Sequence, residues 1–137
     1  MYRLTPSGVP HNAGSWAALD ASSGRIVWQV KVPGVDPSNP SLGALGLGAV
    51  TIANGVLYAG AMASGLYALD AATGQQLWSF PVSAPVICGP SVVNGTIYWG
   101  TGYFGPPVNK LYAFEAKQRD DFADSCTLSF TRLRCLP

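Results

Sequence analysis

The sequence contains few of the residues on which most active sites depend. Charged residues make up only 11% of the 137 positions, and the formal net charge is +1. The eight Lys and Arg residues form no cluster, which excludes the basic surface typical of nucleic-acid-binding proteins and of membrane-surface helices. His11 is the only histidine, so a histidine-based metal centre and a Ser-His-Asp triad are excluded as well.

Cysteine is also scarce. Cys88, Cys126 and Cys135 are an odd number, which cannot form a closed set of disulfides, and no CxxC spacing suits zinc or redox chemistry. We interpret them as buried or incidental thiols and predict no metal site. A bridge between Cys126 and Cys135 stays open, because it depends on a geometry that spacing does not reveal.

Neither a leader peptide nor a membrane helix is expected. The first fourteen residues, MYRLTPSGVPHNAG, contain no apolar stretch of the kind found in a signal peptide, and the compartment stays unknown. Residues 37–69 carry no charge, but six glycines interrupt them and Asn54-Gly55 lies in their middle. This pattern indicates strands joined by a hairpin, and it excludes a membrane helix.

What the sequence does contain is repeats. The stretches AVTIANGVLYAG (49–60) and PSVVNGTIYWG (90–100) each place Asn-Gly between two apolar runs, which predicts a β-hairpin closed by a type I′ turn. A second repeat relates SWAALDASSGRIVW (15–28) to GLYALDAATGQQLW (65–78), and a shorter copy, LYAFE, follows at 111–115.

The longer repeat indicates a mechanical role for each residue type that it shares. The Asp carboxylate accepts backbone N–H groups in an Asx-turn, Gly supplies the positive φ that ends the turn, and Trp presents a broad apolar face that packs sheet against sheet. A catalytic pair of aspartates is disfavoured, because the two occupy equivalent turns. The predicted docking residues are Ala18, Asp20, Gly24 and Trp28 in the first copy and Ala68, Asp70, Gly74 and Trp78 in the second.

The repeat intervals predict the architecture. Equivalent residues recur after 40 positions (Asn54 to Asn94), 45 (Tyr67 to Tyr112) and 50 (Asp20 to Asp70), as is typical of four-stranded propeller blades. We therefore predict an all-β chain, a partial β-propeller of about two and a half four-stranded antiparallel blades. The blades occupy 15–116, after an irregular N-terminal segment (1–14) and before a divergent C-terminal tail (117–137). Nine strands are expected, at about 15–20, 25–31, 48–53, 56–61, 66–70, 75–81, 86–93, 96–101 and 110–115.

The third copy of the repeat is incomplete. After Glu115 neither the turn glycine nor the tryptophan follows, and seven of the fifteen charged residues lie in the last 21 positions. The outermost strand of the third blade is therefore either missing or supplied by the tail, where TLSFT (127–131) is the candidate.

These stretches resemble a known family. The longer repeat is similar to the tryptophan docking motif of quinoprotein (PQQ-type repeat) propellers. GSWAALDASSGRIVWQV, GLYALDAATGQQLWSF, VNGTIYWGTGY and NKLYAF resemble the C-terminal blades of polyvinyl-alcohol-dehydrogenase-like proteins, from about Asn12 to Ala116. The resemblance implies a ring of about eight blades, in which pyrroloquinoline quinone and calcium near the axis serve to oxidise an alcohol. Only the docking positions carry over, so the catalytic and cofactor-binding residues stay unknown.

Three functions stay open at this point. The chain is a fragment or relative of a quinoprotein alcohol dehydrogenase whose parent protein oxidises alcohols, while the isolated chain binds no cofactor and is inactive. Alternatively, it is a non-enzymatic propeller scaffold for protein–protein interaction, or a truncated gene product without function. The expected partners are the remaining propeller blades or a second copy, bound through exposed blade faces. The resemblance implies a periplasmic or extracellular location.

Overall fold

The computed structural model describes residues 3–4, 10–63, 65–102, 109–117 and 129–136; for 3–4, 10–11, 116–117 and 129–136 it describes the backbone alone. Over these residues the chain forms twelve β-strands and no helix. The strands are β1 (Arg3–Leu4), β2 (Pro10–His11), β3 (Ser15–Leu19), β4 (Ile26–Lys31), β5 (Thr51–Ala53), β6 (Val56–Ala61), β7 (Gly65–Asp70), β8 (Gln76–Pro81), β9 (Ser91–Val93), β10 (Thr96–Thr101), β11 (Lys110–Lys117) and β12 (Ser129–Leu136).

The strands form four antiparallel sheets. β1 and β2 make a two-residue ladder inside the segment 1–14 that was expected to be irregular. β3 and β4 form the first sheet, β5-β6-β7-β8 the second, and β9-β10-β11-β12 the third. Each strand of these three sheets pairs with its neighbours in the sequence, so each sheet is a simple meander. The arrangement confirms the predicted all-β class with two and a half four-stranded units.

All nine predicted strands are present, and two of them begin three or more residues later than expected. β5 begins at Thr51 instead of 48, and β9 begins at Ser91 instead of 86. The second delay has a clear cause: Pro90 has no N–H for a ladder, and the Val86 N–H donates to the carbonyl of Ala61 in the second sheet (3.2 Å).

The C-terminal tail supplies the fourth strand of the third sheet. β12 pairs with β11 from Leu111–Leu136 to Lys117–Ser129, with a register shift between Phe114 and Ala116. Of the two alternatives for the missing outer strand, the one that uses the tail is therefore present, a few residues beyond the stretch 127–131 that the sequence suggested.

The two Asn-Gly turns have the backbone geometry that the sequence predicts. The φ angles are 50° and 75° at Asn54 and Gly55, and 49° and 76° at Asn94 and Gly95. Positive φ at both central residues defines the type I′ turn, whose twist matches that of the flanking strands. The hairpins β5–β6 and β9–β10 are closed in this way.

The second sheet is covered on both faces, and the core lies in the two resulting layers. Successive residues of a strand point to opposite faces, and all six residues of β6 are buried. The layer shared with the first sheet contains Trp16, Trp28, Val32, Ala44, Leu57, Ala59, Ala61 and Leu69. The layer shared with the third sheet contains Val56, Tyr58, Leu66, Ala68, Val82, Val86, Ile97, Trp99, Tyr112 and Phe114.

This burial explains the uncharged run at 37–69, whose strands β5 to β7 belong to a sheet with two apolar faces. Within the described parts of the chain there is no helix long and apolar enough to cross a membrane.

The substitution Gly55→Ala tests the hairpin turn. A methyl group at Gly55 would meet nothing within 4 Å, so the only cost is that of holding a residue with a Cβ atom at positive φ. We expect the free energy of unfolding to fall by about 1–2 kcal/mol, as measured by urea denaturation. Gly55→Asn is the matched control and should cost less, since Asn tolerates positive φ. Equal losses for the two variants would contradict the backbone explanation.

Candidate functional site

The strongest chemical feature of the chain is a carboxylate at each of two equivalent turns. In the β3–β4 turn, Asp20 Oδ1 accepts hydrogen bonds from the backbone N–H groups of Ser22 (3.1 Å) and Ser23 (2.8 Å) and from both hydroxyls (2.6 and 2.7 Å). In the β7–β8 turn, Asp70 Oδ1 accepts from the N–H groups of Ala72 (2.9 Å) and Thr73 (2.7 Å) and from the Thr73 hydroxyl (2.9 Å).

A glycine closes each of these turns. The N–H groups of Gly24 and Gly74 donate to the carbonyls of Asp20 and Asp70, both at 2.8 Å. Their φ angles are +69° and +75°, in the left-handed region that glycine adopts without strain. The two turns are therefore the same device, built twice.

The hydrogen bonds make both carboxylates more acidic. Donation from the Ser22 and Ser23 hydroxyls lowers the pKa of Asp20 from its ordinary 3.8 to about 2. The Thr73 hydroxyl, with the backbone N–H groups beside it, likewise lowers the pKa of Asp70. Because a general base works best with a pKa near the operating pH, neither group is suited to proton abstraction.

The indole of Trp28 joins the first sheet to the turn of the second. Its Nε1–H donates to the carbonyl of Ala71 at 2.9 Å, and the side chain is only 6% exposed. The six-membered ring lies directly on Gly74, where an added Cβ would be 2.7 Å from Trp28 Cε3. A glycine is thus required at position 74 both for its φ and because the ring fills the space of a side chain. We call this contact the indole joint.

The second indole, Trp78, meets aromatic side chains. It is half-buried between the second and third sheets, edge-on to Phe114 (centroids 5.1 Å apart, planes at 76°) and stacked near Phe80 (6.0 Å, 12°). The residues that follow β11 and would form the equivalent acceptor turn, 118–128, lie outside the described chain. Ala18 and Ala68 lie opposite Trp28 and Trp78 in the strand register.

The turn of the first sheet has the same geometry as the acceptor turn but receives no indole from the described residues. A Cβ added at Gly24 would meet nothing within 4 Å, whereas one at Gly74 would collide with Trp28. The neighbouring leucines show the same contrast, since Leu19 is 61% exposed and its equivalent Leu69 is 3% exposed. The face of the first sheet that points away from the second is therefore open.

The described residues offer no cluster of carboxylates for a calcium ion. No group of three or more His, Cys, Asp or Glu side chains occurs among them. Each of the carboxylates of Asp20, Asp36 and Asp70 is used within its own turn, whereas Ca²⁺ takes six to eight converging oxygen ligands. Cys88 is a free, exposed thiol near the carbonyl of Gly100 (3.1 Å); Cys126 and the Cys135 side chain lie outside the description.

Sequence reasoning found the turns but missed three parts of their setting. It did not identify the Ala71 carbonyl as the acceptor of an indole N–H, because a carbonyl group carries no sequence signal. It overlooked Asp36, whose Oδ1 accepts from the Ser38 N–H at 2.8 Å, although Asp-x-Ser occurs there as it does at Asp20. It also missed the cluster that Trp78 forms with Phe80, Tyr112 and Phe114.

Comparison with known proteins places this geometry in a family. The model of a family described as outer membrane protein assembly factor BamB matches residues 12–120. The chain is 42% identical over 76 residues to the dehydrogenase subunit of alcohol dehydrogenase (quinone) from Gluconobacter oxydans, and this match covers 51% of this chain and 10% of that protein. It is 32% identical over 83 residues to BamB from Salmonella typhimurium, and this match covers 61% of this chain and 21% of that protein.

A solved structure has the same fold. The quinohemoprotein alcohol dehydrogenase ADHIIG from Pseudomonas putida HK5 superimposes with a TM-score of 0.60 at 28% identity, over 84% of this chain and 17% of that one. The chain thus spans between a tenth and about a fifth of the length of these proteins. This likeness confirms the partial β-propeller, and over residues 12–120 the chain belongs to the PQQ-type repeat family.

Proposed function

We propose that the chain is a fragment or relative of a quinone-dependent alcohol dehydrogenase, and that its blades serve to assemble a larger propeller. The observation that carries the proposal is the indole joint, together with a second acceptor turn of the same geometry at Asp20–Gly24. A joint made at Gly74, with a turn of the same geometry at Gly24, suits a module that docks against further modules of its own kind. The identity to the alcohol dehydrogenase subunit is higher than that to BamB, which favours the enzyme as the parent.

The same proposal makes this chain inactive by itself. Two and a half sheets stacked face to face do not enclose a central site, and the described His, Cys, Asp and Glu side chains form no group of three or more. Alcohol oxidation by pyrroloquinoline quinone and calcium therefore belongs to the parent protein, and none of its steps is assigned to a residue of this chain.

A scaffold function is the second candidate. The matching family model and the likeness to BamB favour it, and so does the exposed apolar surface of the first sheet, where Leu19 is 61% and Ile26 is 49% exposed. An apolar surface of this kind suits a protein partner or a second copy of the chain. Both candidates imply a location outside the cytoplasm.

A quinone assay separates the two candidates from direct catalysis. Purified chain mixed with pyrroloquinoline quinone, Ca²⁺ and ethanol should reduce a redox dye no faster than quinone and Ca²⁺ alone, because the described sheets do not enclose a site for the cofactor. Quinone fluorescence in the same samples should report no binding. Dye reduction that scales with the concentration of the chain would overturn the proposed assembly role.

Substitutions at the two glycines test the indole joint. Gly74→Val should lower the free energy of unfolding by roughly 2–5 kcal/mol, which combines backbone strain with displacement of the Trp28 ring. Gly24→Val is the matched control: it has the same φ but open space, so it should cost about 1–2 kcal/mol. Asp70→Asn retains an acceptor oxygen and should be tolerated better than Gly74→Val. Equal melting temperatures for the two valine variants would show that the joint does not contribute.

The acidity of Asp20 tests its assignment as a turn anchor. Its folded-state pKa lies below the unfolded value, so its contribution to stability is complete above about pH 4 and is lost as the pH falls towards 2. Carboxyl-carbon NMR should therefore give a midpoint near 2 for Asp20. Replacing Ser22 and Ser23 by Ala should raise it towards 3.8, the ordinary value. A midpoint that stays near 2 in this double variant would contradict the role of the hydroxyls.

A further inference from the structure

The docking tryptophan of each full repeat lies on the face of its sheet that points to the next sheet. Trp28 of the first sheet belongs to the layer shared with the second sheet, and Trp78 of the second packs against the layer shared with the third. Each lies opposite an alanine in the strand register, Trp28 opposite Ala18 and Trp78 opposite Ala68. We call this face of each sheet its forward face.

The third sheet has an arginine at the register position of the docking tryptophan. β11 supplies the equivalent alanine, Ala113, because LYAFE (111–115) repeats LYALD (66–70) after 45 residues. The residue of β12 opposite Ala113 is Arg134. Directly opposite residues of two antiparallel strands share one face of a sheet, so position 134 lies on the forward face of the third sheet. The repeat motif could not reveal this substitution, because only the strand register identifies the residue opposite Ala113.

Other residues of this forward face are open to water. Tyr98 is 38% and Leu111 is 44% exposed, whereas their equivalents in the second sheet, Tyr58 and Leu66, are 4% and 0% exposed. The two pairs are equivalent because Tyr98 lies opposite Ala113 as Tyr58 lies opposite Ala68. The third sheet therefore repeats the strand geometry of the second, and its forward face is open in the part of the chain that the structure describes.

Replacing tryptophan by arginine changes what such a face can bind. A docked indole removes about 150–250 Å² of surface from water. A guanidinium group is always charged, and burying a charge without a paired acceptor is far more costly than burying an apolar group. At a surface, by contrast, arginine side chains cover apolar neighbours with their methylene groups while the charge stays in water. An arginine at this register position therefore favours a face that remains in water.

We propose that the third sheet is a terminal sheet, whose forward face stays in water and accepts no further repeat. Terminal units of repeat proteins need a polar outer face to remain soluble, and Arg134 supplies a charge at the position where the other sheets dock. Further repeats would then join the chain only on the side of the first sheet, where the acceptor turn at Asp20–Gly24 lies. The proposal rests on the assembly role proposed above and adds a direction to it.

Restoring the tryptophan tests the terminal sheet. Arg134→Trp gives the forward face its docking residue, and the turn at Gly24 has space for an indole, since a Cβ added there would meet nothing within 4 Å. Copies of this variant should associate head to tail, and sedimentation equilibrium should give an association constant at least about tenfold above that of the parent chain. Arg134→Lys is the matched control: it keeps the charge and should leave the association constant unchanged.

A substitution in the acceptor turn locates the contact. Gly24→Val fills the space that an indole would occupy, just as a Cβ at Gly74 would collide with Trp28. Combined with Arg134→Trp, it should return the association constant to that of the parent chain, while circular dichroism shows that the double variant is folded. In Arg134→Trp alone, the Gly24 amide resonance should shift as the protein concentration rises. Arg134→Phe, which supplies a ring without an N–H, is measured in the same way, so that the test does not depend on the folding of one variant.

Three outcomes would overturn the proposal. The first is self-association of the parent chain that Arg134→Ala abolishes, since the arginine would then be a docking residue itself. The second is an association constant that neither Arg134→Trp nor Arg134→Phe raises. The third is association of Arg134→Trp that Gly24→Val leaves unchanged, since the new indole would then bind elsewhere. Any of these with an intact effect of Gly74→Val leaves the assembly role standing, whereas dye reduction by the chain would reject the assembly role whatever the association constants.

Discussion

The structure depends on one constraint: a sheet that is apolar on both faces must be covered on both. In β6 every residue is buried, because Leu57, Ala59 and Ala61 pack towards the first sheet while Val56 and Tyr58 pack towards the third. Neither neighbouring sheet can be removed without exposing one of these layers to water, which costs about 25 cal/mol per Å² of apolar surface. The stacking of the sheets is therefore a consequence of the strand pattern, and the turns and joints serve to hold the stack in register.

The two sheets contribute different groups to the indole joint. The first sheet provides the tryptophan, and the second provides the glycine that the ring covers and the carbonyl that accepts its N–H. Each of the two full copies of the repeat carries a tryptophan and an acceptor turn. No described indole lies on the acceptor turn at Asp20–Gly24, and Leu19 beside it is exposed. An indole buries about 150–250 Å², so a further tryptophan on this turn would remove a large apolar surface from water.

The same turns hold their carboxylates in a structural role. A carboxylate that accepts three or four hydrogen bonds within its turn, as Asp20 and Asp70 do, is held ionised, and its lowered pKa makes it a poor general base. Propellers host many functions, and function depends on the site and not on the blades. In the relatives that are dehydrogenases, the activity belongs to proteins of which this chain spans about a tenth to a fifth.

Local features could be derived from the sequence alone, because each depends on residues close together in the chain. The Asn-Gly hairpins follow from the positive φ that only a few residue types accept, the Asp turns from bonds between residues two or three apart, and the strands from runs of apolar residues bounded by turn residues. What only the tertiary structure decided depends on residues far apart: that Trp28 lies on Gly74 and bonds to Ala71, that Trp78 meets Phe114 edge-on, and that the tail returns as β12. The motif provides each tryptophan, and the neighbouring sheet provides the surface that the tryptophan meets.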